Sequence, residues 1–126
     1  MPEENLDEKI TAFIFSFINS VELLEILILL RLKGELDVET IDRELRTSTT
    51  SVEKRLADLL RKGLVGVREQ TSKTTYFYTP TEKYEETIHR LIQLYSSHRV
   101  SVINAIFSKP KESMLDFSDA FRIRDK

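Results

Sequence analysis

The chain has 126 residues, of which 40% are hydrophobic and 32% are charged, and it contains no cysteine. This composition is typical of one globular domain, and the missing cysteine excludes disulfide scaffolds, thiolate zinc sites and cysteine nucleophiles. The acidic N terminus lacks the basic region of a secretory signal, and the most apolar run, residues 26–30, is too short to span a bilayer. We therefore expect a cytoplasmic protein with no membrane partner.

Charge is distributed unevenly along the chain, although the net charge is only −2. Residues 1–33 carry three basic and six acidic side chains, whereas residues 48–75 carry six basic and three acidic ones. For binding to a polyanion, the local distribution of charge matters more than the sum. The second segment therefore indicates a surface that can face phosphate groups.

The N-terminal part of the sequence predicts two helices in succession. Asn5 and Glu8 have the spacing of a capping box, and apolar residues recur at helical spacing over residues 6–18. Ser20 is placed to cap a second helix, which Gly34 ends. The second helix is apolar on nearly every side, which is typical of a buried helix.

The middle of the sequence predicts two further helices separated by a polar turn. Asp37 is placed to cap a helix over residues 38–45, and Ser48 is placed to cap a longer helix over residues 49–62. Gly63 occupies the position after the longer helix, where glycine is favoured.

A β-hairpin and a long helix are predicted next. Residues 64–67 are apolar and residues 75–78 are aromatic and β-branched, so both read as strands, joined by a polar tip. Pro80, within a capping-box pattern, starts a helix predicted over residues 80–108. Apolar and aromatic residues in this helix recur at alternating steps of four and three, which indicates a heptad-like seam.

Several of these features occur together in one known family. They are the turn Arg46-Thr47-Ser48, the spacing of Val52, Leu56 and Leu59, the exit Lys62-Gly63-Leu64-Val65 into a strand, and the strand Tyr76-Phe77-Tyr78 before Thr79-Pro80. Residues 38–80 thereby resemble the winged helix-turn-helix of bacterial transcriptional regulators, especially the MarR-like superfamily. The resemblance implies a mainly α-helical fold with a small β-hairpin.

We expect the chain to divide into four parts. An N-terminal dimerisation helix occupies residues 1–19, and a winged helix-turn-helix domain occupies residues 20–79. A long C-terminal dimerisation helix follows over residues 80–108, and residues 109–126 form a tail with a short amphipathic segment.

The resemblance implies a regulator that binds double-stranded DNA. The helix at about 49–62 would enter the major groove, and the wing at about 68–75 would contact the backbone or the minor groove. With Val52, Leu56 and Leu59 facing inward, Lys54 faces outward and is the best candidate for reading bases. The candidate DNA-binding residues are Ser48, Thr49, Thr50, Ser51, Lys54, Arg55, Arg61, Arg68 and Lys73. Asp58 is expected on the same outward face, where it would oppose phosphate.

We expect a homodimer for two reasons. Operator half-sites one DNA turn apart require a two-fold protein, and the first and last helices carry more apolar surface than we expect one small domain to bury. The alternative is that both helices pack within a monomer. In the tail, Phe117 and Phe121 form an apolar pair that either folds back or docks onto a protein partner.

The sequence also bears on functions other than DNA binding. We expect no enzyme, cofactor or metal site, because no glycine-rich phosphate loop, Ser/His/Asp set or obvious carboxylate pair occurs. The main alternative is a winged-helix protein–protein interaction module without DNA binding, which Glu53 and Asp58 favour. A third possibility is a ligand-gated regulator with a pocket lined by Tyr84, Tyr95 and His98.

Overall fold

A computed structural model describes residues 7–108, which form six helices and three strands. The helices are α1 (Glu8–Phe17), α2 (Val21–Lys33), α3 (Val38–Leu45), α4 (Thr49–Arg61), α5 (Glu82–Ser97) and α6 (Arg99–Ser108), and the strands are β1 (Glu35–Asp37), β2 (Val65–Glu69) and β3 (Thr74–Tyr78). The tail with Phe117 and Phe121 lies outside the described residues. Within residues 7–108, no single helix is long and apolar enough to cross a membrane, and α1 and α2 meet that test only as a pair bent by 105°.

Polar caps start four of these helices. The side-chain oxygens of Ser20, Asp37 and Ser48 accept hydrogen bonds from the backbone N–H groups three residues later, at 3.0, 2.9 and 3.1 Å, as predicted. Asp7, rather than the predicted Asn5, caps α1 by the same bond. These bonds satisfy donors that a helix end leaves open, so local sequence determines where the helices begin.

The sheet has three antiparallel strands in the order β1-β3-β2, one more than the predicted hairpin. The extra strand, β1, has only three residues and pairs Leu36 with Tyr76. So short a segment shows no alternation, which explains why the sequence pattern did not indicate it. In the hairpin, Gly66 pairs with Phe77, and a Cβ at Gly66 would lie 2.4 Å from the tip of that ring. The wing is therefore a hairpin supported on one side by β1.

One continuous core joins the N-terminal and C-terminal helices to the rest of the domain. Phe13 and Phe17 of α1 pack on Tyr84 of α5, with ring centroids 5.7 and 4.9 Å apart. The buried residues of the flanking segments are Ile10, Phe13, Ile14, Ile18, Ile88, Leu91, Tyr95, Val102 and Ile106. The expectation that these helices carry more apolar surface than one chain can bury holds for part of that surface: most of it is buried in the core, whereas Phe15, Val100 and Phe107 remain 41%, 70% and 74% exposed.

The long helix predicted over residues 80–108 is instead two helices, α5 and α6, with a break at His98. The backbone at His98 has φ −132° and ψ 55°, which lies outside the helical region. The Ser97 hydroxyl donates to the carbonyl oxygen one turn earlier, at 3.1 Å, and such bonds bend helices. After the break, α6 packs against α1 and buries Val102 and Ile106.

Candidate nucleic-acid interface

Helix α4 has one buried face and one exposed face. Val52, Leu56 and Leu59 are fully buried, as predicted, and pack the helix against the core. Lys54 and Ala57 lie on the opposite side and are exposed. Lys54 takes part in none of the hydrogen bonds or ion pairs among residues 7–108. The helix therefore presents its lysine to solvent.

Two of the predicted DNA-binding residues are bound inside the protein. The Glu22 carboxylate, in the first turn of α2, accepts hydrogen bonds from the Ser51 hydroxyl at 2.5 Å and from Arg55 Nε at 3.0 Å. It also accepts one from the Thr47 hydroxyl, in the turn before α4, at 2.5 Å. Partial burial raises the pKa of Glu22, but the three hydrogen bonds outweigh burial and lower the pKa below its ordinary value of 4.5. We call Glu22, Thr47, Ser51 and Arg55 the Glu22 cluster.

Asp58 also faces the protein, and its predicted outward position is wrong. The residue is only 8% exposed, because the loop between α1 and α2 covers this side of α4. Asn19 Nδ2 donates to its carboxylate at 2.9 Å, and Lys62 Nζ lies 3.2 Å from it. Arg61 also binds this carboxylate, although the Arg61 side chain remains 70% exposed. Asp58 therefore fixes α4 to the body of the protein instead of opposing a ligand at the outer face.

The turn before α4 and the first turn of the helix are exposed. Ser48 uses its hydroxyl to cap the helix, whereas Thr49 and Thr50 present theirs to solvent. Arg46 is exposed in the same turn and has a positive φ of 56°, which is uncommon for any residue other than glycine, asparagine or aspartate. Arg46 is not among the predicted DNA-binding residues, although it directly precedes Thr47 and Ser48 in the predicted turn.

The wing holds its arginine by an ion pair. Arg68 Nε lies 2.9 Å from the Glu35 carboxylate of β1, and its guanidinium lies 4.9 Å from the centroid of the Phe77 ring. Bonds from Arg68 and from Thr75 lower the pKa of Glu35. Lys73, at the tip, is exposed. The two predicted wing cations thus differ, because a carboxylate already offsets the charge of Arg68.

A second group of polar residues fixes the wing strand to the helices behind it. The Tyr78 hydroxyl donates to Glu85 at 2.7 Å, and Arg31 binds the other oxygen of the same carboxylate at 2.9 Å. His89 Nδ1 lies 3.2 Å from Arg31.

Within the described part of the chain, no three metal-ligating side chains come together.

The three residues considered for a ligand pocket are not brought together. Tyr84 packs against the α1 aromatic rings, while the Tyr95 hydroxyl donates to Glu25 of α2 at 2.7 Å. Burial and this bond raise the pKa of Tyr95 to about 12. His98 is exposed at the helix break. Each of the three therefore has a separate environment.

The fold and part of the sequence match solved structures. No family model and no curated protein matches the chain. The structure is similar to HlyU from Vibrio cholerae, with 26% identity and a TM-score of 0.58, over 71% of this chain and 97% of HlyU. It is also similar to HlyU from Vibrio vulnificus, a transcriptional regulator, with 25% identity and a TM-score of 0.56, over 75% of this chain and 99% of that one.

Two more distant structures share the fold. One is Mb0332 from Mycobacterium bovis, a homodimeric winged helix-turn-helix DNA-binding domain and possible ArsR-family regulator, with 24% identity and a TM-score of 0.55, over 73% of this chain and 82% of that one. The other is Sco5413 from Streptomyces coelicolor, a MarR-family regulator, with 22% identity and a TM-score of 0.56, over 90% of this chain and 78% of that one.

These comparisons define the class of the protein. The fold is a winged helix-turn-helix, so the fold predicted from the resemblance of residues 38–80 is confirmed. HlyU from Vibrio vulnificus, which is 25% identical, is a transcriptional regulator, and this similarity supports a regulator here.

Proposed function

We propose that this protein is a sequence-specific, DNA-binding transcriptional regulator that acts in the cytoplasm as a homodimer. Helix α4 enters the major groove, and the wing lies on the backbone or in the minor groove. The observation that carries the proposal is the division of α4 into a fully buried stripe and an exposed face centred on Lys54. A helix held in this way is free to enter a groove without unfolding any part of the core.

The exposed face of α4 supplies groups suited to both kinds of contact. Lys54 reads a base edge, because lysine donates well to the O6 and N7 acceptors of guanine. Thr49 and Thr50, in the first turn, donate to phosphate, where the positive end of the helix dipole adds attraction. Arg61, at the other end of the helix, remains 70% exposed and reaches the backbone.

The wing contributes less to binding than α4 does. Lys73 is exposed at the tip and approaches phosphate directly. Arg68 must give up its ion pair with Glu35 to bind a phosphate, so its contact adds less to the binding free energy.

A second copy of the chain binds through α6. Val100 and Phe107 of this helix are 70% and 74% exposed, and they lie seven residues apart, on one face. Large apolar side chains grouped on a surface favour a protein interface. The homodimer of Mb0332 and the two-fold arrangement of operator half-sites support the same assembly.

A protein-interaction module without DNA binding is the second candidate. The exposed Glu53 beside Lys54 and the net charge of −2 favour it. Asp58 no longer supports this candidate, because its carboxylate is bound inside the protein.

Selection of bound fragments from a random pool of duplex DNA tests the proposal. We expect one enriched, two-fold symmetric sequence, whose binding weakens steeply with salt, and light scattering is expected to give twice the mass of the chain. The absence of salt-dependent retention on heparin or on mixed genomic duplex would favour the interaction module.

A further inference from the structure

The Glu22 cluster joins three parts of the helix-turn-helix through one carboxylate. Its donors come from the turn (Thr47) and from the first two turns of α4 (Ser51 and Arg55), 25 to 33 residues after Glu22 in the chain. The side chains of Glu22 and Arg55 are 20% and 28% exposed, so solvent screens their ion pair only in part.

The donors in this cluster are of the kinds that bind phosphate in DNA-binding proteins. Hydroxyl groups and a guanidinium are common phosphate contacts, and the sequence predicted that role for Ser51 and Arg55. In the structure, Ser51 and Arg55 instead donate to the carboxylate of Glu22. Arg55 Nε is bound to Glu22 and the side chain is only 28% exposed, so a contact with DNA would rely on the remaining guanidinium N–H groups.

We propose that Glu22 is a positioning residue that holds the N-terminal half of α4 at its docking angle, and that Ser51 and Arg55 act through Glu22 and not by touching DNA. This inference rests on the proposed function, because a docking angle has meaning only if α4 binds a groove. Lys54 and Thr50, which the proposed function places against DNA, are exposed on the same two turns that Glu22 holds.

The other end of α4 is fastened to the same short segment of the chain. Asn19 binds Asp58, and Lys62 Nζ donates to the carbonyl oxygen of Phe17 at 2.9 Å. Residues 17–22 thus hold α4 near both ends. Of these contacts, the Glu22 cluster is the one beside the base-reading turns, so its loss should disturb DNA binding most directly.

If the negative charge of Glu22 is removed, long-range electrostatics and positioning predict opposite changes in the affinity for DNA. Glu22 is an acid close to the proposed DNA surface, so repulsion alone predicts that removing its charge strengthens binding. Positioning predicts that removal weakens binding, because an amide at position 22 has one acceptor oxygen instead of two and no negative charge to form the ion pair with Arg55.

The test compares Glu22→Gln with Glu39→Gln, which removes the same charge from an exposed position on α3. The probe is the duplex that the wild-type protein selects from a random pool. We expect E22Q to bind it about ten-fold more weakly, which corresponds to the loss of a hydrogen bond to a charged group, and E39Q to bind as well as wild type or better. Equal or tighter binding by E22Q would overturn the inference.

Salt dependence separates a positioning role of Arg55 from a phosphate contact. We expect Arg55→Ala to weaken binding without changing the slope of log affinity against log salt, and to add little in an E22Q background. If Arg55 touches a phosphate, its removal lowers the slope by about 0.9, which would contradict the inference.

Hydrogen exchange of the DNA-free protein keeps the inference testable if the proposed function fails. We expect E22Q, but not E39Q, to speed exchange of the amides in the first two turns of α4, with little change in the core amides of α2. If wild type binds no duplex, the proposed function falls and the exchange experiment still decides whether Glu22 holds α4. Unchanged exchange in α4 would show that it does not.

Discussion

Helix α4 and the wing both carry cations, but their acidic partners lie in different places. At α4, Glu22 and Asp58 bind from the side of the protein body and leave Lys54 facing outward. In the wing, Glu35 binds Arg68 at the surface itself. The difference indicates that Lys54 offers its charge without breaking an ion pair, whereas Arg61 of α4 and Arg68 of the wing would each exchange an acidic partner for a phosphate.

Within α4, some cationic side chains hold the helix against the protein, whereas others face solvent. Arg55 and Lys54 are adjacent in sequence, yet one is bound to Glu22 and the other has no partner within residues 7–108. A positive charge on α4 therefore does not by itself show that a side chain is free to bind a ligand.

The largest effect is expected from Asp58→Ala. This change removes the acceptor of Asn19 and the ion-pair partner of Lys62, which keeps only the carbonyl oxygen of Phe17, so the free energy of unfolding should fall by about 2 kcal/mol in urea titrations. The control, Glu53→Ala, changes an exposed acid on the same helix and should stay within about 0.5 kcal/mol of wild type. Equal effects would mean that Asp58 does not fasten α4.

Lys54→Ala is expected to weaken binding to the selected duplex by about ten-fold, because a base contact is lost. Repeated selection with the variant should also show a relaxed preference at one base pair in each half-site. Lys9→Ala, which removes an exposed lysine from α1, is the matched control and should bind as wild type does. If Lys54→Ala binds the duplex as tightly as Lys9→Ala does, Lys54 makes no base contact and α4 does not lie in the groove.

Smaller effects are expected in the wing. Lys73→Ala should weaken binding by about three-fold and flatten the salt dependence, because an exposed cation near phosphate is lost. Arg68→Ala should flatten the salt dependence less than Lys73→Ala, because Arg68 is already bound to Glu35 and so displaces fewer counterions from the phosphates. Competition titrations at two salt concentrations measure the affinity of each variant and its salt dependence. A larger effect for Arg68→Ala than for Lys73→Ala would contradict the difference drawn between the two wing cations.

The smallest effect concerns pH. Hydrogen bonds outweigh burial in lowering the pKa of Glu22 below 4.5, and hydrogen bonds from Thr40 lower the pKa of Asp37 below 3.8. A carboxylate with a lowered pKa stabilises the fold above its ordinary pKa, and that contribution is lost as the pH falls through the lowered value. Urea titrations should therefore show stability falling between about pH 5 and pH 3. The fall should be shallower in Glu22→Gln, and an identical pH profile would argue against the contribution of Glu22.

Much of the fold followed from local sequence patterns. The caps at Ser20, Asp37 and Ser48 and the buried stripe of α4 were predictable, because each depends on residues within one or two helical turns. The break at His98 was not, because it depends on where α1 offers apolar surface to α6.

The site was predicted less completely than the fold. The outward position of Lys54 follows from helical spacing alone. The inward contacts of Arg55 and Asp58 depend on Glu22 and Asn19, which lie more than 30 residues away in the chain. Spacing along a helix gives the direction of a side chain, but it does not reveal which other segment packs there.

Mapping of amide chemical shifts in isotope-labelled protein, during titration with the selected duplex, tests the central claim most directly. We expect the largest changes at Thr49 to Lys54 and at the wing tip near Lys73, and little change along α1 and α6. Changes confined to α6, or none at a concentration that saturates binding, would contradict the assignment of the Lys54 face of α4 as the DNA-binding surface.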